Sequence, residues 1–168
     1  MHILLETDRL ILRSFEPMDV HLIYALDSDP RVLQYIRPVT TDMAGAQATY
    51  EKIMRTAAPD PRFGNWVALR KNDNKPIGWF CLKDLDGTGE YEIGYRLVYA
   101  HWGNGYATEG ALALLKYARE TCQLPYVVAV THKDNMASQR VLEKCGLHFI
   151  HTADYYGHPC KYYKSDLF

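Results

Sequence analysis

The spacing of apolar and polar positions changes character along the chain. Residues 8–13 (Asp-Arg-Leu-Ile-Leu-Arg) read as a short strand. Pro17 marks a helix start, and Leu22, Ile23 and Leu26 follow Asp19 at helical spacing. Ser28-Asp29-Pro30 is expected to stop that helix. Residues 42–57, rich in Ala, Gln, Glu, Lys and Met, predict a second helix, and Ala58-Pro59-Asp60-Pro61 a loop. The middle is made of strands. Residues 65–70 and 77–82 form a hairpin across the turn at 72–76. A turn at 86–89 leads to residues 90–98, where Tyr91, Ile93, Tyr95 and Leu97 alternate with Glu90, Glu92, Gly94 and Arg96.

From there the order is strand, helix, strand, helix. A glycine loop at 101–105 opens a helix to about Thr121, with Ala107, Ala111, Leu114, Leu115 and Ala118 on its apolar face. Pro125 opens the β-branched run 126–130, the pattern of a buried strand. Residues 135–145 predict a helix ended by Gly146, and 147–150 and 162–164 are closing strands. The class is mixed α/β: an antiparallel meander that feeds one βαβ crossover.

Composition narrows the functional classes. The 168 residues suit one domain, 1–168, with 48% apolar and 23% charged residues. A net charge of -1 argues against nucleic acid as the main partner. The longest helical apolar stretch, 111–115, is far short of the roughly 20 residues a membrane span needs. Residues 1–9 lack a basic start and a cleavage signature, and 164–168 carry no address or lipidation box. Cys81, Cys122, Cys145 and Cys160 form no C-x-x-C, so reduced thiols, a cytoplasmic location and no metal are expected.

The chemistry concentrates in Glu92 to Glu109, a strand running through a glycine loop into a helix. Backbone N–H groups at a helix N-terminus bind anions, and Gly103 and Gly105 allow close approach of a phosphate. The loop lacks the third glycine of G-x-G-x-x-G, and no acid lies about 20 residues on. The P-loop pattern is absent.

The frame Trp102-Gly103-Asn104-Gly105-Tyr106-Ala107 resembles the acyl-CoA loop of the GCN5-related N-acetyltransferase (GNAT) superfamily, [QR]-x-x-G-x-[GA]. Trp102 stands where that signature has Gln or Arg. The string Trp-Gly-x-Gly-Tyr-Ala-Thr-Glu resembles the branch of the ribosomal-protein N-terminal acetyltransferases. Residues 7–13 resemble its opening strand, and residues 135–147 its N-x-x-S-x-R-V-x-E-K-x-G-[FL] helix. The resemblance implies a mostly antiparallel mixed sheet of about six or seven strands, flanking helices and a βαβ unit for acyl-CoA.

It further implies an acetyl-CoA-dependent transfer to a primary amine, a protein N-terminal α-amine or a small molecule, by a monomer or homodimer. Acetyl-CoA would meet the backbone of Leu97, Val98 and Tyr99 and the loop Gly103, Asn104, Gly105, Tyr106, Ala107 and Thr108, with Asn135 near by. An amine must lose a proton before it attacks, and Glu92 is the candidate base, an outward carboxylate with Glu90 as fallback. Ser138, one turn after Asn135, is the candidate donor to the leaving thiolate; Leu142 stands where many members carry a Tyr. Glu109 reads as a complement to the helix dipole. A non-catalytic acyl-CoA sensor is the alternative, and a dinucleotide enzyme a third reading.

Overall fold

The computed structural model describes residues 2–166; Met1, Leu167 and Phe168, part of the termini read for targeting signatures, lie outside. One sheet holds β1 (Ile3–Glu6), β2 (Leu10–Arg13), β3 (Gly64–Arg70), β4 (Lys75–Asp84), β5 (Tyr91–Leu97), β6 (Val128–His132), β7 (Leu147–Tyr155) and β8 (His158–Ser165). Its spatial order is β1-β2-β3-β4-β5-β6-β8-β7, antiparallel except between β5 and β6. The sheet therefore has eight strands rather than six or seven. The added one is β1, whose run Ile-Leu-Leu-Glu has no alternation to announce it and is ordered by pairing with β2.

The helices are α1 (Val20–Asp27), α2 (Pro30–Leu33), α3 (Met43–Arg55), α4 (Tyr106–Glu120) and α5 (Met136–Lys144). Pro30 does not only end α1. It sits at the first position of α2, where its missing N–H costs nothing, and Asp29 caps the turn by accepting from Arg31 N–H at 2.9 Å.

Strand alternation gives the sheet two apolar faces. One packs Phe80, Ile93 and Leu97 with Ala111, Leu114, Leu115 and Ala118 of α4 and Leu142 of α5. The other packs Val67 and Leu69 with Leu22, Ile23 and Leu26 of α1 and Ala46 of α3. Gly110 has a packing reason: a Cβ there would lie 2.3 Å from the Phe80 ring, so glycine lets α4 settle close to the sheet. Leu142, fully in this core, is no candidate for a solvent-side acid.

The site follows from the crossover. β5 leads through α4 to β6, and the two strands pair in parallel with Glu92 opposite Val128. Beyond that point β5 continues to Leu97 and β6 to His132 without further register between them. The strands thus diverge toward their C-terminal ends, beside the N-terminus of α4.

Candidate active site

The glycine loop is held in shape from several sides. Gly105 is the N-cap of α4 at φ 79°, a left-handed conformation that suits glycine. The first backbone bond into the helix is Glu109 N–H to the Gly105 carbonyl, at 3.0 Å. The amides of Gly103, Asn104, Gly105, Tyr106, Ala107 and Thr108 have no acceptor among the described residues, as expected of a helix start. The Asn104 side chain folds back onto the His101 and Trp102 carbonyls. Trp102 ties the loop to the end of β5, its indole N–H donating to the Leu97 carbonyl at 2.8 Å.

Residues from the far end of the sequence clamp this loop. Arg9 donates to the Asn104 carbonyl at 3.0 Å and to the Glu109 carboxylate at 2.6 Å, and its guanidinium lies 4.6 Å over the Tyr106 ring. Thr7 donates to Glu109 as well, at 2.6 Å. Partial burial pushes the Glu109 pKa up, but these bonds outweigh it and hold the carboxylate below its usual value. In the sequence Glu109 reads only as a dipole partner. The Thr7–Arg9 clamp has no signal there beyond the fixed spacing within 7–13.

Leu97, Val98 and Tyr99 divide their backbone. Val98 N–H is bound to the Ile77 carbonyl at 2.9 Å, so it is not available to a ligand, and the Leu97 carbonyl is taken by Trp102. Backbone groups of a strand point alternately to its two neighbours. Leu97 N–H therefore points away from β4, into the side where β6 diverges. Tyr99 is exposed and stacked under Arg31, 3.7 Å from its guanidinium carbon.

Glu92 is a correction. It is not an outward carboxylate but is 5% exposed. The Tyr156 hydroxyl donates to it, and the Lys83 ammonium lies 3.3 Å away. Burial pushes its pKa above 4.5, against the pull of Lys83 and the Tyr156 hydroxyl. Glu90, the fallback, is held by the Tyr126 and Tyr162 hydroxyls at 3.0 and 2.9 Å, so its carboxylate faces β8.

Ser138 lies on the other face. Asn135 is the N-cap of α5 and accepts from Ser138 N–H at 3.1 Å. The Ser138 hydroxyl is 3.1 Å from the Tyr95 hydroxyl, whose pKa burial drives up, so Tyr95 remains a neutral phenol behind it. In the sequence Tyr95 stands out only as an apolar strand position. Glu92 and Ser138 thus flank the β5–β6 opening from opposite faces of the sheet.

On the Glu92 face, two clefts meet at Arg37. One, about 1120 Å³, runs between α3 and the sheet and is lined by Trp79, Lys83, Arg96 and Tyr156. The other, about 550 Å³, lies between α2 and the ends of β6 and β8, with Tyr35, His132 and His158 on its walls. All four cysteines are unpaired and buried. Among the described residues there is no group of three or more His, Cys, Asp or Glu able to hold a metal, and no helix long and apolar enough to cross a membrane.

This is the architecture of acyl-CoA-dependent transferases, and comparison with known proteins gives the same result. The model of the acetyltransferase (GNAT) domain family matches residues 9–148. The FsC-acetyl coenzyme A-N(2)-transacetylase of Aspergillus fumigatus is 35% identical over 138 residues; the match covers 76% of this chain and 57% of that protein, so the chain spans little more than half its length. A GNAT-family acetyltransferase structure from Bacillus anthracis superposes with a TM-score of 0.79 at 25% identity, covering 98% of this chain and 96% of that one. The spermidine N-acetyltransferase of Vibrio cholerae, solved with CoA and spermine, shares the fold at 17% identity and a TM-score of 0.74, over 95% and 94% of the two chains. The chain belongs to the GNAT family of acetyltransferases.

Proposed function

We propose that the protein transfers the acetyl group of acetyl-CoA directly to a primary amine, either a protein N-terminal α-amine or that of a small molecule. One observation carries the reading: the six unbonded amides of residues 103–108 at the start of α4 sit beside strands that diverge. Amides at a helix N-terminus suit a pyrophosphate, and diverging strands suit the amide groups of a pantetheine arm. Asn135, which caps α5 just past the end of β6 and donates its N–H to the His132 carbonyl at 2.9 Å, would lie near the arm.

The roles follow from the faces. Glu92, with its pKa raised by burial, takes the proton of the incoming ammonium. The neutral nitrogen attacks the thioester carbon, and Leu97 N–H meets the oxygen as it becomes negative. The C–S bond then breaks: Ser138, backed by Tyr95, gives its hydroxyl proton to the departing thiolate and takes up the second proton that the nitrogen sheds on becoming an amide, while Glu92 returns the first to solvent. No covalent acetyl-enzyme is formed, since Cys81 is buried with its pKa pushed up to about 12 and Cys145 to about 11. Four buried thiols fit a reducing, cytoplasmic setting.

Calorimetry with acetyl-CoA, followed by thiol release with a panel of amines, tests the reading. Binding and amine-dependent thiol release are expected. A folded sample that ignores millimolar acetyl-CoA would refute it. Binding without thiol release from any amine would make the protein an acyl-CoA sensor instead.

A further inference from the structure

Trp79, Lys83 and Arg96 line the larger cleft, and the β4–β5 register pairs Lys83 with Glu92, Cys81 with Gly94, and Trp79 with Arg96. Directly opposed residues share a face, so all three pairs lie on one side of the sheet, with Glu92 beneath Lys83 and Tyr156 at the edge of the cleft. The middle pair is small: Cys81 is buried and Gly94 has no side chain. Charge stands at the two ends.

The Arg96 end is not neutral. Asp27, fully buried on α1, receives the Arg96 guanidinium at 2.8 Å and the Arg37 guanidinium at 2.5 Å. Two cations thus meet one anion. Arg96 Nε is buried and has no hydrogen-bond partner, unlike every other buried side-chain nitrogen or oxygen among the described residues. Burial lowers the Arg96 pKa, the mark of a charge short of compensation. Its guanidinium carbon lies 5.1 Å from the Trp79 ring centre, which supports its flat face but accepts no hydrogen bond. The other charges lining the cleft do not make up the deficit. Lys83 is matched by Glu92, and Asp60 by Arg62. Asp84 turns both oxygens to the amides of Gly87 and Gly89. Lys52 adds a further cation.

We infer that this cleft holds the acceptor and that the acceptor carries a carboxylate or comparable anion, received at Arg96, several bonds from the amine presented at the Glu92 end. The inference rests on the transferase reading above and names its substrate class. Arg96 lies four residue steps beyond Glu92, about 13 Å along β5. A tripeptide, at about 3.3–3.6 Å per residue, covers most of that span. The same excess cation repels an acceptor that is positively charged throughout, so a polyamine is a poor fit.

The test uses triglycine, its C-terminal amide and spermidine, each titrated into the protein saturated with CoA. Triglycine is expected to bind about 10- to 100-fold more tightly than its amide, the range of a hydrogen-bonded charge. Arg96→Gln should abolish that preference while leaving acetyl-CoA affinity unchanged. The acid–amide comparison in the parent protein stands even if the variant fails to fold. Equal binding of acid and amide, tighter binding of spermidine, or no binding of any of the three overturns the inference. Thiol release from acetyl-CoA is followed in parallel. Acid-selective binding without thiol release removes the transferase reading and leaves the anion site. Thiol release fastest with spermidine does the reverse.

Discussion

The Tyr156 hydroxyl donates its hydrogen bond to the Glu92 carboxylate, although the two residues are 64 positions apart and lie on different hairpins. Tyr156 occupies the turn between β7 and β8 at φ 54°, a left-handed conformation uncommon for a bulky residue. Asp86 holds it there: Tyr156 N–H donates to the Asp86 carboxylate at 2.8 Å, and Asp86 N–H donates to the Tyr156 hydroxyl at 3.2 Å. One turn of the C-terminal hairpin therefore covers the proposed base and fixes its orientation.

Glu92→Gln keeps the shape of the side chain and removes the proton acceptor. Turnover should fall by about 10²–10⁴, with acetyl-CoA affinity nearly unchanged. Part of the loss should return at higher pH, where more of the amine is already neutral. Steady-state rates from pH 6 to 9 and a calorimetric Kd check this, and rates within a few-fold of the parent would exclude Glu92 as base.

The acidic limb of kcat/KM should reflect the buried carboxylate. Glu92 works when ionised, and burial raises its pKa, so activity should be lost on acidification at a pH above 4.5. Tyr156→Phe removes a hydrogen bond that favours the ionised form. The limb should therefore move further up in that variant, and a downward move would contradict the assignment.

The same carboxylate shapes stability. Between 4.5 and its raised pKa, the folded chain keeps the Glu92 proton that the unfolded chain has lost. Its contribution to stability is thus highest below 4.5 and declines as pH rises through that window. Melting temperatures of the parent and Glu92→Gln, compared from pH 4 to 8, should show the parent losing ground as pH rises.

Gly105→Val places a β-branched residue at φ 79°. The backbone strain should cost about 1–2 kcal/mol of stability. Its Cβ meets only the end of Arg9, at 3.5 Å, so the fold should survive. Acetyl-CoA binding should weaken severely, because the side chain crowds the open amides. A folded variant with the parent's Kd by calorimetry would show that the loop does not bind the cofactor.

Arg9→Ala unfastens the loop from the opening strand without touching the proposed chemistry. It removes the bonds to Asn104 and Glu109 and the stack on Tyr106. KM for acetyl-CoA should rise about tenfold or more, as for the loss of a charged hydrogen bond, while kcat stays within a few-fold. A fall in kcat at unchanged KM would place Arg9 elsewhere in the cycle.

The segments with strong period are open to reading from the chain alone: the β3–β4 hairpin, the alternation of β5, the amphipathic α4 and the glycine start of that helix. What escapes is set by partners distant in sequence. Nothing local to Glu92 announces Lys83 and Tyr156, so a carboxylate that alternates with apolar neighbours looks solvent-facing. Nothing local to Arg96 announces Asp27, 69 positions earlier. The helix start at Pro30 escapes for a different reason, because a proline that ends one helix can also occupy the first position of the next.

The single rung between β5 and β6, Glu92 opposite Val128, leaves the sheet as two panels joined by one register pair and a shared apolar core. Strand edges inside a folded protein are unfinished until something accepts their amides. A ligand lodged in that gap is then a structural member of the protein as well as its cargo. Occupancy at a hundredfold over Kd stiffens the folded state by about 2.7 kcal/mol. Saturation with acetyl-CoA is therefore expected to raise the melting temperature of the fold itself, as well as to fill the proposed site.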